Sequence, residues 1–124
     1  MKVIALEDPL SEGESIEIIN IDFDAELLTV TVLIDGDKLN VTFDAPAGFR
    51  VLDEGDLLEH WPDCSTPNGW LYEIVGQGWL DQERQRGGFL SGLNPEIKEY
   101  FIAGLNYCIS VFAWEKPDVQ ESTR

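Results

Sequence analysis

The residues best suited to chemistry are few: one histidine, His60, and two cysteines, Cys64 and Cys108. A general base, or a base serving either thiol as nucleophile, would have to be His60, which stands between Glu59 and Trp61. Neither cysteine sits in a sequence context typical of a thiol enzyme. The reading is therefore an exposed His60, two inert thiols and no enzymatic turnover. Without a secretory signal, two cysteines of unconstrained spacing read as free thiols of a reducing compartment.

Carboxylates are abundant enough that a close pair carries little meaning. A glycosidase would also need a carbohydrate cleft that a short chain can hardly build. Asp22-x-Asp24, Asp35-Gly36-Asp37 and Asp53-Glu54-Gly55-Asp56 offer hard oxygen ligands suited to Ca²⁺ or Mg²⁺. None completes a twelve-residue calcium loop, and zinc would need more His or Cys, so they read as turn residues. Gly76-Gln77-Gly78 lacks the third glycine and the β-α-β setting of a dinucleotide turn and reads as a strand-to-helix corner. No cofactor or metal is expected.

The stronger signal is the placement of charge. Residues 1–63 hold 16 Asp and Glu against 3 Lys and Arg, a balance of −13, whereas residues 64–124 hold 8 against 5. Concentrating repulsion in one half opposes compaction, and the usual return is a basic partner. The same charge disfavours direct contact with nucleic acid or an anionic membrane. Asp53, Glu54, Asp56, Glu59 and Asp63 crowd around Trp61, with Asp22 and Asp24 upstream. Acids around an aromatic anchor suit a protein interface. The competing reading is an amphipathic edge whose Leu57, Leu58 and Trp61 enter the core. The candidate partner-binding residues are Asp22, Asp24, Asp53, Glu54, Asp56, Glu59, Trp61 and Asp63.

The elements that would position these residues follow from periodicity. Leu28–Ile34 and Leu39–Asp44 alternate apolar and polar residues around Asp35-Gly36-Asp37-Lys38, which is a hairpin. A turn at Asp35-Gly36 pairs Val32 with Leu39, Val30 with Val41 and Leu28 with Phe43. A turn at Gly36-Asp37 shifts the partners by two, and both keep one apolar face. Further strands are expected at 15–20, 49–52, 70–75, 100–103 and 107–114. Trp79–Arg86 reads as the single convincing helix, stopped by Gly87-Gly88. With 44% hydrophobic residues and four Trp, the 124 residues can bury a core as one domain. No stretch approaches the ~20 apolar residues of a membrane helix. The expected fold is α+β, mostly antiparallel sheet with one short helix, in a single compact domain of residues 1–124 that frays from about residue 115.

The C-terminal third carries a resemblance. Tyr100-Phe101-Ile102, a turn at Gly104-Leu105-Asn106, Ile109-Ser110-Val111 and then Lys116-Pro117-Asp118-Val119 resemble the ending of small bacterial immunity proteins of toxin systems, including contact-dependent growth inhibition. Arg50-Val51-Leu52-Asp53-Glu54 and Trp79-Leu80 are similar to further segments of that group. The pattern departs at Gly78, where a Ser would open the helix, and at Ser110, where an acid would stand. The resemblance covers about half of the chain and carries over no binding residue. It implies a cytoplasmic protein that binds and neutralises a cognate toxin, a nuclease being the expected target because carboxylates can occupy a phosphate-binding face. A structural or adaptor domain is the alternative, and a small hydrolase or ligand-binding domain the third. The oligomeric state is left open.

Overall fold

A computed structural model describes residues 1–56, 60–64 and 68–122, apart from the side chains of Glu54 and Trp61. Nine strands run through it: β1 (Lys2–Ala5), β2 (Ile16–Phe23), β3 (Leu27–Ile34), β4 (Asp37–Asp44), β5 (Gly48–Asp53), β6 (Leu71–Gly76), β7 (Lys98–Ala103), β8 (Tyr107–Ala113) and β9 (Asp118–Glu121). Two helices, α1 (Trp61–Cys64) and α2 (Trp79–Arg86), lie in the connections.

The β3–β4 hairpin takes the first of the two registers, with Val32 opposite Leu39, Val30 opposite Val41 and Leu28 opposite Phe43. Asp35 and Gly36 both have positive φ, 48° and 88°. A two-residue turn of that hand matches the right-handed strand twist, so turn chemistry selects between registers that hydrophobicity leaves equal. Leu28, Val30, Val32, Val41 and Phe43 all point into the core.

All described strand pairs are antiparallel, as expected, but they divide into two sheets rather than one. One has the order β1-β6-β7-β8-β5 and the other β2-β3-β4-β9. The main core lies between them, where Ile16, Ile18, Val30 and Val41 meet Leu71, Tyr100, Ile102, Ile109 and Val111. On the other face of the larger sheet, Phe101 and Cys108 pack with Cys64 of α1, and Phe112 packs with Leu80 of α2. Strands β7 and β8 are therefore covered on both faces. That is why their sequences run apolar almost without interruption instead of alternating.

Helix α2 has the expected bounds, whereas β1 and the single turn of α1 were not expected. The frayed tail is corrected in part: Asp118–Glu121 pairs with β4, placing Val119 opposite Val41. One half-buried apolar residue among polar ones is too short a pattern to register as a strand. The vacant side of β4 supplies the partner that the local sequence does not announce.

Candidate binding cleft at the open edge

Strands β2 and β5 end their respective sheets on the same side of the sandwich. Phe23 and Phe49 touch edge-to-face there, with ring centroids 5.3 Å apart. Next to this contact the two strands flank a cleft lined by Ile18, Ile19, Asn20, Ile21, Val51 and Tyr107. A β-bulge between Ile18 and Asn20 displaces Ile19 from the regular alternation. Exposure is high for such apolar side chains: 42% for Ile19, 44% for Phe23 and 50% for Tyr107. Isolated exposed apolar residues are ordinary; several on one concave edge mark a surface made for contact.

Acids stand at both ends of this strip. Asp22 is exposed on β2 between Ile21 and Phe23, directed to the outer face of the smaller sheet beside Thr29. Asp24 follows at the strand end, where its Oδ1 accepts from the amides of Glu26 (2.9 Å) and Leu27 (2.7 Å). These two bonds hold its carboxyl below the ordinary aspartate value. Asp53 pairs with Tyr107 in the β5–β8 register, and alternation places it on the same face as Val51. Its Oδ1 accepts from the Gly55 amide at 2.8 Å, turning the chain into the 3-10 turn Glu54–Asp56, where Asp56 is exposed.

The remaining sequence candidates lie apart from this cleft or outside the description. Asp63 sits in α1, half-buried, 3.8 Å from the N-terminal amine of Met1 and thus toward the β1 edge, across the larger sheet from β5. Glu59, Leu57 and Leu58 lie outside the described residues, as do the side chains of Glu54 and Trp61. Sequence reasoning missed the apolar members Ile19, Ile21, Phe23 and Tyr107. One signal was present: Ile18-Ile19 breaks the alternation of β2, as a bulge does.

The groups that looked most chemical form the layer between the larger sheet and the helices. His60 is buried, contrary to the expectation of exposure, because its ring stacks on Phe101 with centroids 4.5 Å apart. Cys64 and Cys108 are both fully buried and form no disulfide. Burial, then the nearby Asp63 charge, pushes the Cys64 thiol up to about 12, which keeps it protonated at neutral pH and poorly nucleophilic. The Arg50 guanidinium lies 4.6 Å from the centroid of the Trp79 ring, which itself stacks on Phe112 at 4.0 Å. Glu99, fully buried on β7, accepts the Leu80 amide at 2.8 Å and so occupies the N-terminus of α2. Desolvation pushes its carboxyl above the ordinary glutamate value, against the opposing pull of the helix amides and Arg50. These contacts dock α2 onto the sheet.

The corner at Gly76-Gln77-Gly78 joins β6 to α2. Gln77 adopts a φ of 64° and donates its amide to Asp81 at 2.7 Å, so the turn serves the helix start. Among the described residues, no group of three or more His, Cys, Asp or Glu is placed to hold a metal ion. No described helix is long and apolar enough to cross a membrane. Comparison with known proteins finds no matching family model, no matching curated protein and no matching solved structure.

Proposed function

We propose that this is a cytoplasmic immunity protein that binds and neutralises a cognate toxin, a nuclease, by covering its cationic surface, with no turnover of its own. The observation that carries the reading is the cleft between β2 and β5: an exposed apolar strip with Asp22 and Asp24 at one end and Asp53 and Asp56 at the other. The net charge of −16 would draw a basic partner in, and the apolar strip would slow its departure. The resemblance of the C-terminal third to immunity proteins supports the same direction.

The test is association kinetics with the cognate toxin domain across a salt series. Asp22→Asn, Asp53→Asn and Asp56→Asn together should lower the association rate and flatten its salt dependence. Tyr107→Ala should act mainly by speeding dissociation. Rates unchanged at every salt concentration would place the interface elsewhere. An adaptor role would appear instead as self-association insensitive to salt.

A further inference from the structure

The open side of β2 is divided into two halves that differ in what covers them. At the first half, the turn between β7 and β8 folds over the strand. Leu105 donates its amide to the Ile16 carbonyl at 2.9 Å. Asn106 accepts from the Ile18 amide at 3.1 Å and donates to the Ile18 carbonyl at 2.9 Å, imitating a neighbouring strand. Past the bulge no such cover exists among the described residues. The Asp24 amide bonds inward to the Leu27 carbonyl at 3.3 Å. Antiparallel alternation then turns the amides and carbonyls of Asn20 and Asp22 toward β3 and leaves those of Ile21 and Phe23 facing out.

We propose that the partner enters as an extended segment that adds as a strand to the Asn20–Phe23 edge of β2, its apolar side chains in the cleft and its lysines or arginines on the outer face beside Asp22. This rests on the reading of the protein as a binder of a cationic partner. The backbone supplies directional bonds, and the period of two sorts the side chains. Residues of the added strand next to Ile21 and Phe23 face the cleft with Ile19, Val51 and Tyr107, so they are apolar. The residue next to Asp22 lies on the polar face with Thr29, so it is basic. The occupant pattern is apolar, basic, apolar.

Charge decides against a second copy of this chain, because pairing β2 with β2 would bring Asp22 and Asp24 of one copy against those of the other. The β5 edge is also the shorter of the two, six residues against eight. The far side of the sandwich offers only four-residue edges, β1 and β9.

The experiment uses the full chain and two synthetic peptides of alternating lysine and valine, one of them methylated at its central backbone nitrogens. The unmodified peptide should bind in a salt-dependent manner and slow amide hydrogen exchange at Ile21 and Phe23 at least tenfold. The methylated peptide, equal in charge, should bind about tenfold or more weakly, since it forfeits the backbone bonds. Equal binding of both, with exchange at Ile21 and Phe23 unchanged, would overturn strand addition while leaving an acidic binding surface in place. Failure of both peptides to bind at low salt would remove the attraction for cationic segments, and with it both readings.

Discussion

Gly78 is where the docking of α2 is most sharply testable. Its φ of −111° is open to any residue, so replacing it with alanine carries no conformational penalty. On backbone entropy alone Gly78→Ala should stabilise by about 0.4–1 kcal/mol. The surroundings predict the opposite sign. A Cβ there would lie 2.5 Å from Ile74 Cγ2 and 2.8 Å from Glu99 Oε1, so either the strand side chain or the carboxylate must yield. Overpacking of this kind costs about 1–3 kcal/mol. Displacing Glu99 from the Leu80 amide adds about 1 kcal/mol or more. Set against the entropy gain, the net is a destabilisation of about 1–3.6 kcal/mol. At about 2.1 cal/mol/K of unfolding entropy per residue, 124 residues give about 0.26 kcal/mol/K, so the midpoint should fall by about 4–14 °C. Calorimetry on wild type, Gly78→Ala, Ile74→Ala and the double variant closes the cycle. Because Ile74→Ala removes the clashing methyl, the double variant should cost less than the sum of the two singles. A raised midpoint in Gly78→Ala, or strict additivity, would show that helix and strand do not meet as described.

Burial holds the Glu99 carboxyl above the ordinary value, so its contribution to stability is fully present below the unfolded value near 4.5 and is lost as pH rises through the folded value. Wild type should therefore lose more stability than Glu99→Gln as pH rises above 4.5 in urea titrations; equal slopes would mean the carboxyl is not desolvated. Removing residues 116–124 deletes β9 and exposes Val41's neighbour edge, so it should cost about 1–2 kcal/mol from the lost Val119 packing. A truncated chain with an unchanged midpoint would return the tail to the frayed state that its local sequence suggests.

How much of this protein its sequence determines depends on whether the deciding interaction is local. Strand alternation, the helix Trp79–Arg86 with its Gly87-Gly88 stop, and the common apolar face of the β3–β4 hairpin are properties of neighbouring residues, and all are legible without a fold. The hairpin register needed one further local fact, the turn conformation at Asp35-Gly36. The excess of acid in the first half is equally plain, but its distribution in space is not. Asp22 and Asp53 lie on one side of the sandwich, at opposite ends of the apolar strip, because β2 and β5 end two different sheets there, while Asp63 goes to the other edge with Met1. That division into two sheets was beyond reach, since alternation specifies a buried face but not which sheet will bury it. His60 shows the same limit from the other direction: flanked by a charge and an aromatic it reads as exposed, and a ring contact with Phe101, 41 positions away, buries it. Burial is set by what packs above a residue, and in a sandwich built of long-range strand pairs that neighbour is seldom close in the chain.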